Sequence, residues 1–259
     1  MSGLQQNLAA VRARIAAAAR AAGRDPAEVS LLAVSKTWPA EDVRGLAALG
    51  QLDFGENRAQ ELIGKAGELN DLAVRWHFIG QLQRNKAAAV ARLGAVIHSV
   101  DRPALVGVLD RVGQETVRPV AVFVQVDLGG PEGDLAARGG ADPVDVPRLA
   151  DAVAEASGLR LQGLMAVAPR GSAPGPAFER LAALAAQVRR EHPSASALSA
   201  GMSGDLEEAI AAGATVVRVG TALFGDRPLP SGQHSLSPAT RVTPVTGAPD
   251  APVTGPTTN

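Results

Sequence analysis

Short apolar runs alternate with amphipathic stretches along most of the chain. Several runs contain consecutive apolar residues instead of an alternating pattern, as in residues 31–34 within the run 30–36 and residues 120–124 within the run 119–128. Consecutive apolar residues are typical of parallel strands covered on both faces. The stretches between them carry apolar residues at helical spacing, and the first two end at Gly23 and Gly50. The pattern predicts eight strands, over residues 30–36, 51–55, 74–79, 95–100, 119–128, 159–167, 195–199 and 215–219. Eight strands alternating with helices indicate an α/β fold of the (β/α)8 TIM-barrel class, whose usual length is about 250 residues.

Two regions break this pattern. Residues 129–147 contain several glycines and acids without periodicity, and we interpret them as a long surface loop after the fifth strand. Residues 228–259 hold 7 of the 18 prolines and almost no charge. Such a segment buries too little apolar surface to offset its ordering entropy, so it predicts a disordered tail. The expected organisation is a single barrel domain over residues 1–227 followed by the tail 228–259.

Composition narrows the classes of function. A formal net charge of -1 gives no electrostatic reason to expect a nucleic-acid partner or an acidic membrane surface. The absence of cysteine excludes a thiolate metal site and a catalytic thiol. No apolar segment approaches the roughly 18 residues that span a bilayer, and the first 22 residues lack the apolar core of a secretory signal. A cytoplasmic protein is therefore expected.

Lys36 is the first candidate for chemistry. It ends the predicted first strand, and counting back by two places Val34 and Leu32 on the same face. If that face looks into the barrel, the lysine points through its mouth. Only three of the 25 basic residues are lysines. A lysine at the end of a buried strand therefore suggests a functional role. A desolvated amine in such a place is a good nucleophile.

Two glycine-containing turns suggest a phosphate site. Gly201-Met202-Ser203-Gly204-Asp205 follows the seventh predicted strand, and Gly220-Thr221 follows the eighth. Glycine lets the backbone approach a phosphate closely, and free N–H groups at helix starts bind it. Barrels of this class often build a phosphate site after strands seven and eight. One such turn is weak evidence, but two at adjacent strand ends favour a ligand site.

Other polar residues fall on or beside the strands. Arg218 shares a strand face with Val216, so either it lies inside the barrel, with Asp53 or a ligand atom as its acceptor, or it reaches outward between helices. His77 lies in the third predicted strand and Asn57 just after the second, and taken singly each is more often a core or capping residue than a ligand contact. The remaining histidines show no metal-ligand spacing with them. Together these groups favour an aldehyde held on Lys36 as a Schiff base, with its phosphate on the last two turns.

With those residues assembled, the chain closely resembles the pyridoxal 5'-phosphate homeostasis proteins, a family that looks like the N-terminal barrel of alanine racemase standing alone. The resemblance runs over about residues 4–226. It rests on Ala33-Val34-Ser35-Lys36-Thr37, Phe54-Gly55-Glu56-Asn57, Trp76 to Gln83 with Asn85-Lys86, Ile97 to Asp101, Gly163-Leu164-Met165, Gly201 to Glu207 and Val217 to Thr221. The chain departs from the family at Ala200, where methionine is common, and in the loop 129–140, where the family often carries lysine.

The resemblance implies a cofactor and a role for each site residue. The cofactor is pyridoxal 5'-phosphate (PLP), bound by Lys36 as the internal aldimine. The phosphate contacts implied are Ser203, Gly204, Gly220 and Thr221; Arg218 approaches the pyridine nitrogen, and Asn57 and His77 line the pocket near the ring. The implied function is a non-catalytic protein that buffers PLP or delivers it to apo-enzymes, without racemase turnover.

Two enzymatic alternatives remain open at this stage. An amino-acid racemase needs a base on each face of the substrate carbanion. In alanine racemase the second base is a tyrosine from another domain, whereas this chain contains no tyrosine and is expected to lack that domain and its dimer contacts, which favours a monomer. The second alternative is a Schiff-base aldolase acting on a sugar phosphate, which uses the same barrel and a lysine. The fold alone does not distinguish this function from the others.

Overall fold

The computed structural model of the chain describes residues 3–129 and 139–225. Within them, eight parallel strands pair in sequence order and close into a barrel. The strands are β1 (Ser30–Val34), β2 (Asp53–Glu56), β3 (Arg75–Phe78), β4 (Val96–Val100), β5 (Val120–Val126), β6 (Leu159–Ala166), β7 (Ala197–Ser199) and β8 (Val216–Val219). The predicted (β/α)8 barrel is therefore confirmed.

Helices precede and follow the strands. They are α1 (Gly3–Ala21), α2 (Ala40–Ala48), α3 (Ala59–Glu68), α4 (Arg84–Arg92), α5 (Pro103–Glu115), α6 (Val146–Glu155), α7 (Gly175–Glu191), α8 (Leu206–Ala211) and α9 (Thr221–Phe224), with a short 3-10 helix at Pro26–Glu28. Among the helices described, none has the length and apolar character needed to cross a membrane.

The strand register brings the predicted site elements to one rim. All pairings are parallel, so the carboxyl-terminal ends of the strands meet on the same side of the barrel. Leu32 of β1 lies opposite Arg218 of β8, and Val34 lies opposite Gly55 of β2. The segments that follow β7, β8, β1 and β2 are therefore neighbours around the rim.

The continuous apolar runs follow from burial on both faces. Leu31 and Ala33 belong to the core that the strands form with the helices, as do Phe54 and Val217. The alternate residue Leu32 is also buried and lies beside Gly55, where an added Cβ would come 3.4 Å from its side chain. Each β1 residue after Ser30 is therefore removed from water, which is why the run does not alternate in polarity.

Some predicted boundaries are wrong. β1 ends at Val34 instead of residue 36, because the carbonyl of Ser35 accepts a bond from the Lys65 side chain and the chain turns there. β2 begins and ends later than predicted, at Asp53–Glu56.

Part of the predicted organisation falls outside the described residues. This applies to residues 130–138 of the predicted loop and to the predicted tail 228–259, so the domain boundary at 227 stays a prediction. The described end of the loop returns to the barrel, where Ala141 pairs with Val126 at the end of β5.

Candidate functional site at the carboxyl-terminal rim

Lys36 lies in a tight turn directly after β1 and is partly buried. The N–H of Trp38 donates to the carbonyl of Ser35 at 3.1 Å, and the N–H of Thr37 donates to Glu61 Oε2 at 2.9 Å. Thr37 has a φ of 70°, a left-handed conformation that β-branched residues rarely adopt and that persists only where the surroundings hold it. The backbone on both sides of Lys36 is therefore fixed by its neighbours.

A buried ion pair supports this turn from below. Lys65 Nζ donates to Glu56 Oε1 at 2.6 Å and to the carbonyl of Ser35 at 2.7 Å, while the Ser35 hydroxyl donates to the same carboxylate oxygen at 2.7 Å. Burial raises the pKa of Glu56, although the hydrogen bonds from Lys65 and Ser35 act in the opposite direction. The pair thus ties β2 and α3 to the residue that precedes Lys36.

Sequence reasoning missed this pair, although one signal was present. Lys65 continues the three-residue spacing of Ala59 and Leu62, and all three form the buried face of α3. A lysine on the apolar face of a helix requires a buried acceptor. That acceptor is Glu56, which is fully buried at the end of β2.

An aromatic contact joins the lysine turn to the end of β8. The rings of Trp38 and Phe224 stack with centroids 5.5 Å apart and planes inclined by 19°. Phe224 belongs to α9, the short helix that starts at Thr221. The turn that carries Lys36 and the predicted phosphate turn after β8 are therefore held side by side.

The turn after β7 is shaped by its first glycine. Gly201 has a φ of 89°, and an added Cβ would lie 2.6 Å from the Cβ of Ala209 on α8, so only glycine fits there. Arg14 of α1 donates to the carbonyl of Ser203 at 3.2 Å. The N–H groups of Ser203 and Gly204 have no acceptor within residues 3–129 and 139–225, and a Cβ added at Gly204 would meet nothing within 4 Å. This turn thus contains two N–H donors without a partner among the described residues, and there is open space beside Gly204.

The turn after β8 packs directly on β1. A Cβ added at Gly220 would lie 3.2 Å from the carbonyl oxygen of Val34. Thr221 begins α9 with an exposed side chain, and its N–H has no acceptor among the residues that the structure describes. The contact between Gly220 and Val34 brings this donor to the strand that leads to Lys36.

Arg218 lies inside the barrel and is 4% exposed. Its Nη1 donates to the carbonyl of Ser199 at 2.6 Å and to Ser199 Oγ at 2.9 Å, and its Nη2 donates to the carbonyl of Ala166 at 2.8 Å. Burial lowers the pKa of Arg218 to about 10, so the guanidinium stays charged at neutral pH. The outward orientation is therefore wrong, and the acceptors are a hydroxyl and two carbonyls.

Asp53, which we considered as an acceptor for Arg218, has other partners. Its Oδ1 accepts from Arg75 Nε at 2.6 Å and lies 3.1 Å from His77 Nε2. Burial opposes ionisation of Asp53, but the hydrogen bonds from Arg75 and His77 outweigh it and hold its pKa well below the usual range. Alternation along β8 identified the face of Arg218, whereas its acceptor depended on the neighbouring strand β7.

Asn57 and His77 occupy different depths of the site. Asn57 directly follows β2, and its Oδ1 is buried without a hydrogen-bond partner among the described residues. His77 lies inside the barrel, where its Nδ1 is 2.9 Å from His98 Nε2 and its Nε2 faces Asp53. Both ring nitrogens of His77 are therefore engaged within the barrel, while Asn57 retains a free acceptor at the rim.

Comparison with known proteins places the chain in a family. Residues 6–228 match the family described as "Alanine racemase, N-terminal domain". The chain is 48% identical over 233 residues to the "Pyridoxal phosphate homeostasis protein" of Pseudomonas aeruginosa, covering 88% of this chain and 97% of that protein. The protein of the same name from Escherichia coli is 40% identical over 233 residues, with 88% and 98% covered.

A solved structure shows the same fold. PipY of Synechococcus elongatus, in a structure described as having PLP bound, is 37% identical and superposes with a TM-score of 0.75 over 86% of this chain and 100% of that chain. The family match, these identities and this superposition agree with the closed barrel. The chain belongs to the pyridoxal phosphate homeostasis proteins, which are built on the alanine racemase N-terminal domain.

Proposed function

We propose that the protein binds PLP at the carboxyl-terminal rim, holds its aldehyde on Lys36, and buffers or delivers the cofactor in the cytoplasm. The observation that carries the proposal is the packing of Gly220 on Val34, because it brings the donors after β8 to the strand leading to Lys36. The relatives named as pyridoxal phosphate homeostasis proteins and the PLP-bound PipY structure support the same assignment.

The residues at the rim fit this cofactor. The free N–H groups of Ser203, Gly204 and Thr221 are donors suited to a phosphate, and the absence of a side chain at Gly204 leaves space beside that residue. The unpartnered Oδ1 of Asn57 is a buried acceptor that a ligand donor would satisfy. A bound PLP supplies an aldehyde that condenses with a lysine amine, with loss of water, and a ring that absorbs visible light.

Arg218 supports a carrier more than an enzyme. Its Nη2 has two hydrogens and one acceptor among the described residues, so one N–H is available to a ligand atom such as a pyridine nitrogen. A guanidinium at that nitrogen disfavours protonation of the ring, which weakens the electron sink used by most PLP enzymes. The sequence also contains no tyrosine to act as a second base. We therefore propose that the bound cofactor is stored and not used for turnover.

The function is tested by transfer. Protein loaded with PLP and freed of excess cofactor is mixed with the apo-form of a PLP-dependent enzyme, and recovery of that enzyme's activity is followed. The carrier account predicts recovery of activity, and it predicts no loss of optical activity when the loaded protein is incubated with L-alanine. Sustained racemisation, or retention of the cofactor in the presence of the apo-enzyme, would contradict the carrier role.

The two turns are expected to select for the phosphate. The double variant Ser203→Ala with Thr221→Val removes two hydroxyl donors, and hydrogen bonds to a charged group are each worth about 1.5–3 kcal/mol. We expect PLP to bind at least about 100-fold more weakly, while pyridoxal, which lacks the phosphate, binds as it does to the unmodified protein. Equilibrium dialysis of both ligands measures this ratio. An equal loss for both would show that these two hydroxyls do not contact the phosphate.

A further inference from the structure

A hydrogen-bonded row of polar side chains crosses the barrel interior from Arg218 to Asp53. We call it the interior chain, and its members are Arg218, Ser199, His98, His77 and Asp53. The successive contacts are 2.9 Å from Arg218 Nη1 to Ser199 Oγ, 3.0 Å from there to His98 Nδ1, 2.9 Å from His98 Nε2 to His77 Nδ1, and 3.1 Å from His77 Nε2 to Asp53 Oδ1. It connects strands β8, β7, β4, β3 and β2.

This chain occupies positions that branched apolar residues usually fill in barrels of this class. His98 and Ser199 are 0% exposed, and the His98 ring stacks on Phe123 with centroids 4.3 Å apart. Burying polar groups is costly unless each is paired, and apolar side chains of similar volume would fill the space without that cost. Stability alone therefore does not account for the interior chain.

The proton positions can be assigned from the Asp53 end. An ionised carboxylate only accepts hydrogen bonds, so His77 Nε2 must carry a proton. One proton lies between His77 Nδ1 and His98 Nε2. If His98 donates it, then both histidines are neutral with the proton on Nε2, and His98 Nδ1 accepts from the Ser199 hydroxyl. Ser199 Oγ then accepts from Arg218, and every group in the row has a partner.

The opposite assignment leaves a group unpaired. If His77 were doubly protonated, His98 Nε2 would accept and its Nδ1 would donate to Ser199 Oγ, which already accepts from Arg218. The Ser199 hydroxyl hydrogen would then have no acceptor in the described part of the chain, and an unsatisfied buried donor is unfavourable. Full burial is the main cause that lowers the pKa of His98 well below its ordinary value, so His98 is neutral in either assignment.

We propose that Ser199 and His98 are positioning residues for Arg218, and that Asp53 fixes the direction of the hydrogen bonds that connect them. In this arrangement the Ser199 hydroxyl points to His98 and presents its lone pair to Arg218 Nη1. The guanidinium is then held at Ser199 and at the carbonyl of Ala166, with its remaining Nη2 hydrogen directed by those bonds. The proposal rests on the proposed function in one respect, the contact of Arg218 with the cofactor ring.

The first test needs neither a variant nor the cofactor. Nitrogen chemical shifts of the imidazoles in the cofactor-free protein distinguish protonated from unprotonated ring nitrogens. We expect both His77 and His98 to be neutral with the proton on Nε2. His192, which lies 2.8 Å from Asp151 and outside the interior chain, serves as the internal control. A proton on Nδ1 of His98 would overturn the assigned direction.

The second test measures the positioning role. Ser199→Ala removes the hydroxyl but keeps the carbonyl that Arg218 also uses, so we expect PLP to bind about threefold to tenfold more weakly and the visible absorption maximum to shift. Ser199→Thr, which retains a hydroxyl, is expected to restore both, and His192→Asn is the matched control. If Ser199→Ala moves the His98 nitrogen shifts but leaves the cofactor affinity and spectrum unchanged, the positioning role is wrong. Failure of the unmodified protein to bind PLP would refute the proposed function, whereas the nitrogen shifts would still decide the proton assignment.

Discussion

Replacing Lys36 with arginine is expected to abolish the covalent attachment of PLP and to weaken its binding on the order of 100-fold or more. Arginine keeps the positive charge and a similar length, but its guanidinium does not act as a nucleophile because it is always protonated. The N–H donors of Ser203, Gly204 and Thr221, which we propose bind the phosphate, remain, so some non-covalent binding should survive. Visible absorption and equilibrium dialysis measure the two effects, and the rise in Tm with added cofactor gives an independent reading.

The matched control is Lys86→Arg on α4, the same substitution at a lysine outside the β1 turn. The control protein should keep both the absorption and the affinity. Unchanged absorption in the Lys36→Arg protein would show that another amine holds the aldehyde.

Lys65→Met is expected to destabilise the protein by about 3–5 kcal/mol, the usual cost of leaving one buried charge without its partner. Glu56 is fully buried, and Lys65 is its only charged partner among the hydrogen bonds of the described residues. The same substitution removes the donor to the Ser35 carbonyl, so PLP binding should weaken as well. Urea unfolding measures the first effect and cofactor titration the second.

The pH dependence of the Lys65→Met effect follows from Glu56. Lys65 lowers the pKa of Glu56 against the raising effect of burial, so its removal raises that pKa further in the folded state. An acid whose folded pKa is raised contributes stability below its unfolded pKa and loses it as the pH rises through the folded value. The destabilisation should therefore be smaller at about pH 5 than at about pH 8. A cost that is independent of pH would show that Glu56 does not carry the effect.

A double variant provides the control for this ion pair. Glu56→Gln removes the charge while its amide oxygen still accepts from the Ser35 hydroxyl, so combining it with Lys65→Met leaves no unpaired charge. The double variant should be more stable than Lys65→Met alone. If the two costs simply add, the buried pair is not the coupled unit that the structure indicates.

The barrel could be predicted because burial on both faces leaves a direct trace in the sequence. Residues 120–124 are all apolar because alternate side chains face the helices and the interior, and both faces are buried. The exact strand ends could not be predicted, because they depend on partners distant in the chain. β1 stops before Ser35, whose carbonyl accepts from the nearby Trp38 N–H and also from the side chain of Lys65, 30 residues later.

Those parts of the site could be predicted that depend only on the residue type and on its position at the end of a strand. Gly201 and Gly220 marked the two turns, because one needs a positive φ and the other a close approach to Val34. Alternation placed Arg218 inside the barrel as one of two possibilities. It did not reveal the Ser199 and His98 contacts, since these residues lie 101 positions apart and meet only when the barrel closes.

The same limit applies to His77. Sequence alternation put it in the third strand, and the family resemblance implied a place near the ring. In the structure, one ring nitrogen of His77 contacts Asp53 and the other contacts His98. Contact with a cofactor would therefore involve the ring carbons. Its place in the pocket stays a prediction, as do those of the other site residues.

Reduction of the PLP-loaded protein with borohydride, followed by peptide mass mapping, tests the central claim most directly. The chain has three lysines, Lys36, Lys65 and Lys86, so the modified amine can be assigned without ambiguity. The account predicts one pyridoxyl group per chain on the peptide that contains Lys36, and none in the Lys36→Arg protein. A modification on Lys65, Lys86 or the terminal amine, or no modification at all, would contradict it.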